Sequence, residues 1–213
     1  MTTVSRPRPA RGRRAARPSG DDRELAILTT LEGLLEDRPL AEISVDDLAK
    51  GAGISRPTFY FYFPSKDAVL LTLFERVFVE ADATFDGRAE DYANDPARVW
   101  RDGIYAFFEP LRAHLSVALA GIAATATNAE IRELWSTFMQ KWIDRTAAVI
   151  AAERARGAAP DTVPALDLAA ALNLMNERAM FASYSAQKPA LDEAAALDTL
   201  VHIWVTSIYG QSH

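Results

Sequence analysis

An all-α fold is what this sequence predicts, and three observations carry the prediction. Apolar residues recur at three- and four-residue spacing along most of the chain. No alternating strand pattern lasts beyond a few residues. Gly, Pro and Asn break the helical pattern at intervals of about one helix length. With 213 residues, 49% of them hydrophobic, the chain is long enough to bury a full core as one large or two smaller domains.

The first twenty residues hold Arg6, Arg8, Arg11, Arg13, Arg14 and Arg17 and no acid, and read as a disordered basic arm over 1–20. A first helix is expected near Asp21–Asp37, with Leu25, Leu28, Leu31 and Leu35 on one face. Ser44 and Asp47 form a capping box ahead of Val45, Leu48 and Ala49, which predicts a helix of about two turns. Gly51 and Gly53 end it, because glycine accepts the left-handed backbone that lets the next helix leave at a steep angle. Ser55 caps that next helix and Pro57 falls in its first turn, where no intrahelical bond is lost. Phe59 and Phe63, four apart, face the core, leaving Arg56, Thr58, Tyr60 and Tyr62 as donors for base edges and phosphates. Ser65 caps a further helix whose free N–H groups, with Lys66 beside them, suit an anion such as phosphate. Two short helices about a glycine turn, with an aromatic and basic cluster after them, are the layout of a DNA-reading head over 21–66.

The remainder, 67–213, is expected to be helical throughout. A long helix from Ser65 toward Phe85 carries Val69, Leu70, Leu73, Phe74, Val77 and Phe78 and joins the head to the rest of the chain as a strut. After a polar break from Asp86 to Pro96, helices are expected near Ala97–Phe108, Leu111–Thr125, Ala129–Arg156, Ala165–Ser185 and Ala194–Tyr209, separated by Pro110, Asn128, Pro160, Pro164 and Pro189. Aromatic residues lie at core spacing on several of them. Trp100, Gly103, Ile104 and Phe107 share one face, Trp135, Met139, Trp142 and Thr146 another, and Trp204 sits with Leu197, Leu200 and Val201. Such stripes are usually plain core. Asn173 and Asn176, on the face of Ala169, Leu172 and Met180, argue for more, because a buried amide without a partner costs about 1–3 kcal/mol. An apolar pocket with a few convergent polar groups is the usual form of a small-molecule site, and Gly103 leaves room beside Trp100.

The run from Ser55 to Lys66 resembles the N-terminal domain of the TetR family of transcriptional repressors. The resemblance implies that Tyr60, Tyr62 and Lys66 bind phosphates, that Arg56 and Thr58 contact bases or sugars, and that Ser44, with Ser55 capping the reading helix, approaches the DNA. Pro57 stands where glycine is usual in the family, which removes one N–H. Further runs, L-W-S-T-F-M-Q-K-W-I and A-L-N-L-M-N-E-R among them, resemble a mycobacterial branch that represses a flavin-dependent monooxygenase gene. That branch implies about nine helices and a long, aromatic-lined effector cavity in the C-terminal domain. The cavity residues expected on this basis are Trp100, Gly103, Ile104, Phe107, Leu111, Trp135, Met139, Trp142, Asn173, Asn176, Phe181 and Trp204. Arg145 and Tyr105 depart from the branch.

Composition excludes other classes. The chain has no cysteine, so disulfides and thiol chemistry are absent. No stretch approaches the roughly 20 apolar residues that span a bilayer, and the arginine-rich start lacks the apolar core of a secretory signal, so a cytoplasmic protein without a membrane partner is expected. Net charge is −6, but residues 21–213 hold 17 basic against 29 acidic residues, so the positive charge concentrates in the arm, where it can track the minor groove or phosphates. His114, His202 and His213 are too scattered for a metal set and no nucleophile elbow or dinucleotide fingerprint occurs, so neither catalysis, metal nor cofactor is expected. One head covers only a few base pairs, so specific binding calls for a homodimer on a palindromic operator, its heads about 34–36 Å apart. The last two long helices are the expected interface, through Leu166, Ala170, Ala196, Ile203 and Ser207. The function expected is a repressor released when a hydrophobic small molecule fills the cavity. The alternative is a ligand-independent DNA-binding regulator whose aromatic cluster is only core.

Overall fold

The computed structural model describes residues 19–86, 91–185 and 188–210. The basic arm lies outside the described residues up to position 18. Its last two positions are the cap and the first residue of α1 (Gly20–Asp37), and Ser19 caps that helix through a reciprocal pair with Asp22. α1 buries Ile27, Leu28 and Leu31, while Leu25, expected on the inner face, is 54% exposed.

A 3₁₀ turn at Leu40–Glu42 leads to α2 (Val45–Gly51) and α3 (Arg56–Tyr62). The capping box of Ser44 and Asp47 is formed as the spacing predicts. The two glycines of the turn divide their work. Gly53 has φ +66°, the left-handed conformation that ends α2, whereas Gly51 is the last residue of the helix and is needed for close approach. A Cβ there would stand 2.3 Å from Cγ2 of Thr30 on α1.

The strut is α4 (Lys66–Asp86), whose Val69, Leu70, Leu73, Phe74, Val77, Phe78 and Ala81 are all buried. It packs on α1, on α5 (Pro96–Ala113) and on α6 (Leu115–Ala124). Gly121 of α6 lies where a Cβ would meet the Phe74 ring at 2.8 Å, so the two helices cross in close contact. Pro110 does not separate two helices as expected. It lies inside α5, so Leu111 belongs to α5 and α6 begins only at Leu115. Burial of Pro110 and Leu111 compensates the backbone bond to Ala106 that proline cannot donate.

α7 (Ala129–Ala155), α8 (Ala165–Tyr184) and α9 (Glu193–Tyr209) complete the fold, and no strand occurs among the described residues. α7 packs along α8, and α9 against α5 and α8. One apolar core runs from α1 to α9 without a break.

Candidate nucleic-acid interface and ligand cavity

α3 is held between a cap and a core anchor. The Ser55 hydroxyl accepts from the Thr58 amide at 3.3 Å, and Phe59 is fully buried. Arg56, Tyr60 and Phe61 are exposed; Thr58 and Tyr62 are half-buried. Arg56 does not extend freely. Its guanidinium pairs with Asp46 of α2 at 3.2 Å, donates to the Tyr60 hydroxyl at 3.4 Å and lies 5.8 Å from the centre of the Tyr60 ring. Both charged groups are well exposed, so the pair is weak and opens at little cost.

Lys66 is engaged inside the head. Its ammonium donates to the carbonyls of Leu40 at 2.6 Å, Ala41 at 3.3 Å and Ile43 at 2.8 Å. Its three protons therefore gather the carbonyl end of the 3₁₀ turn onto the start of α4, so that in the free protein it acts as a clamp within the head. The carbonyls converge because that turn ends beside the start of α4, a juxtaposition invisible in the sequence. Ser65 does cap α4, accepting from the Ala68 amide at 3.1 Å.

Sequence reasoning passed over Phe61. It is 83% exposed, the most exposed large hydrophobic side chain among the described residues. The signal was available: with Phe59 pointing inward and about 100° of rotation per residue, the outward ridge of α3 falls on Pro57 and Phe61.

Between α5, α7, α8 and α9 lies a cavity of about 320 Å³. Of the expected lining, Trp100, Gly103, Ile104, Phe107, Trp142, Asn173, Asn176 and Trp204 converge on it. Leu111, Trp135, Met139 and Phe181 do not. Leu111, Met139 and Phe181 are buried in core, and Trp135 packs against Phe74 at 5.9 Å, Phe78 at 5.7 Å and Phe181 at 6.2 Å. For Trp135 it is the rings of Phe74 and Phe78 on α4 that fill the space beside it. Tyr92, Phe108, Arg145, Thr146, Ala148 and Val149 complete the wall.

The two asparagines have partners, so an unsatisfied amide is not what marks this site. The Asn173 amide donates to the Thr146 hydroxyl at 3.1 Å and to the Ala169 carbonyl at 2.9 Å, and the Asn176 carbonyl accepts from the Trp204 indole at 2.9 Å. They make a polar seam along the apolar wall, each linking α8 to a neighbouring helix. At one end of the cavity the Trp100 indole donates to the Tyr209 hydroxyl at 3.3 Å, which itself donates to Glu153 at 2.9 Å. Arg156 holds Glu153 through two short bonds and keeps its carboxyl below the usual range, while reaching the Tyr92 carbonyl at 3.1 Å. At the other end the Arg145 guanidinium lies 5.6 Å from the centre of the Trp142 ring and 3.8 Å from Asp82 of α4.

The cavity connects to the strut by stacked rings. Trp142 meets Phe107 edge-on at 4.9 Å, Phe107 stacks on Phe138 at 5.3 Å, and Phe138 stacks on Phe78 of α4 at 3.9 Å with 5° between planes. No group of three His, Cys, Asp or Glu side chains among the described residues is placed to hold a metal ion, and no helix there is long and apolar enough to cross a membrane.

Two family models match the chain: that for bacterial regulatory proteins of the tetR family over residues 27–73, and that for the C-terminal domain of the transcriptional regulator EthR over residues 100–210. The HTH-type transcriptional regulator EthR of Mycobacterium tuberculosis is 68% identical over 203 residues, 95% of this chain and 94% of the relative. The one from Mycolicibacterium smegmatis is 58% identical over 210 residues, 99% and 97% of the two chains. A solved transcriptional regulator from Saccharomonospora viridis, in complex with choline, shares the fold at a TM-score of 0.67 and 22% identity, covering 86% of this chain and 95% of that one. A TetR-family regulator from Syntrophomonas wolfei does so at 0.70 and 16%, covering 91% and 98%.

Proposed function

We propose, from the premise that this chain belongs to the TetR family of transcriptional regulators and carries the EthR type of C-terminal domain, that it is a homodimeric repressor released from a palindromic operator when a hydrophobic small molecule fills the cavity. The observation that carries this reading is the cavity's placement: its wall and the strut of the DNA-reading head share one run of stacked rings. A ligand that moves Phe107 or Trp142 displaces Phe138 against Phe78, and α4 carries the shift to the head. Close-packed rings transmit such a shift because they have no free volume in which to absorb it. To swing a population from 1:99 to 99:1 the ligand must prefer the operator-incompetent spacing by roughly 5.5 kcal/mol. The alternative, a DNA-binding regulator indifferent to ligands, leaves a space of about 320 Å³ with a polar seam unexplained.

The dimer is proposed to form through the outward faces of α8 and α9. Leu166 and Leu174 are 50% and 54% exposed there, and Ala170, Ile203 and Ser207 are half-buried. Ala196 is removed from that interface, since it is fully buried within the protomer. A cytoplasmic location and a neighbouring monooxygenase gene as target belong to the same proposal, the latter by likeness to EthR.

The test is a polarisation titration against the chain's own upstream intergenic DNA, at two salt concentrations, with and without a hydrophobic aromatic amide. Tight, salt-steep binding that the compound releases supports the proposal. Binding that no cavity-filling compound weakens leaves the ligand-independent alternative, and absence of binding at any salt overturns both.

A further inference from the structure

We propose that Phe61, with Pro57 beside it, reads thymine methyl groups in the major groove, so that part of this protein's operator specificity is apolar. The inference rests on the DNA-binding reading above. Phe61 presents a large aromatic surface to solvent, 83% exposed, on the outward ridge of the helix that the head holds up for reading. Nothing within the protomer compensates that exposure. The ring is nevertheless oriented, because the edge-to-face contact with Tyr62 at 5.2 Å limits how it turns.

The polar candidates on the same helix lie beside that ridge rather than on it. Arg56, the side chain best suited to guanine, is drawn toward Asp46 and Tyr60 on the flank of the ridge. Thr58 is half-buried, and its hydroxyl shares a 2.8 Å hydrogen bond with Ser55. The foremost surface is therefore a proline and a phenylalanine, neither of which has a side-chain hydrogen-bond donor or acceptor. In the major groove the one apolar feature that distinguishes base pairs is the C5 methyl of thymine, and contact with it is a recognised means of reading sequence. An outward aromatic ridge on a recognition helix matches that feature and no other base edge.

The experiment compares the upstream intergenic duplex with the same duplex synthesised with deoxyuridine in place of thymidine, which removes only the methyl groups. Wild type, Phe61→Ala and Phe61→Leu are titrated against both. Transfer of one methyl-sized group from water corresponds to about a fourfold change in affinity, so roughly fifteenfold for a dimer touching one methyl in each half-site. The wild type is expected to prefer the thymine duplex by that order, Phe61→Ala to bind both alike, and Phe61→Leu to keep part of the preference. Because Phe61 is exposed, the variants are expected to keep the wild-type thermal midpoint. Equal affinity of the wild type for both duplexes overturns the proposal, as does a preference that survives intact in Phe61→Ala. If the wild type binds neither duplex, the DNA-binding reading fails first and takes this inference with it.

Discussion

In the head, helix starts are pinned by polar groups: Ser19, Ser44, Ser55 and Ser65 cap four of them, and Lys66 gathers three carbonyls. In the C-terminal domain the helices meet through aromatic rings, and the polar groups on the cavity wall bridge helices rather than cap them. Directional bonds give a unit with one geometry, as a reader of DNA requires. Rings that pack side by side leave the C-terminal domain a cavity and, on the proposed reading, a route by which filling it shifts the strut. The same chain thus builds two kinds of unit by changing the type of contact, not the type of secondary structure.

The contrast breaks most sharply at the reading helix. Phe59→Ala removes a fully buried ring from a small core, and a loss of about 3–5 kcal/mol is expected, with operator binding lost as the head unfolds. Thermal denaturation run beside operator titration checks it; a well-folded Phe59→Ala head would sink the picture of α3 as anchored through that residue. A smaller effect is expected from Lys66→Met, roughly 1.5–3 kcal/mol from the loss of charged hydrogen bonds to three carbonyls. A phosphate ligand behaves differently: its removal lowers the salt dependence of DNA binding by about one unit of slope. With Lys66 acting as a clamp, the thermal midpoint drops while that slope stays as in the wild type.

The smallest expected effect lies at the seam between the two regions. His114, at the junction of α5 and α6, meets Glu32 of α1 at 2.5 Å and Glu80 of α4 at 3.4 Å. Burial lowers its affinity for a proton, but Glu32 and Glu80 outweigh that and raise the pKa above the ordinary 6.5. A raised native pKa means that the stabilisation is complete below about 6.5 and is lost as pH rises through the native value. The midpoint difference between wild type and His114→Gln is therefore expected to be largest at about pH 6 and to shrink by about pH 8.5. A difference that grows with pH would contradict the arrangement.

Much of the fold was legible because it depends on local rules. The capping boxes, the period of α4 and the turn at Gly53 all derive from residues within a few positions of one another. Pro110 was misread for the same reason: a local rule ends helices near proline, and burial against neighbouring helices overrode it. The cavity was half legible. Periodicity placed Trp100, Trp142 and Trp204 on inner faces, but it could not show that Phe74 and Phe78 pack against Trp135 and fill the space beside it while Trp100, Trp142 and Trp204 border open space.

By itself, then, the sequence determined an all-helical chain, a DNA-reading head with its anchors and caps, and a C-terminal domain rich in inward aromatics, since each depends on spacing along one helix or across one turn. Tertiary structure alone decided that Lys66 bonds to three carbonyls of the head, that Asn173 and Asn176 are paired across helices, and that Ala196 is buried inside the protomer. The pairings are set by groups far away in sequence, from 23 residues apart for Lys66 and Ile43 to 28 for Asn176 and Trp204, and no local pattern records such a distance.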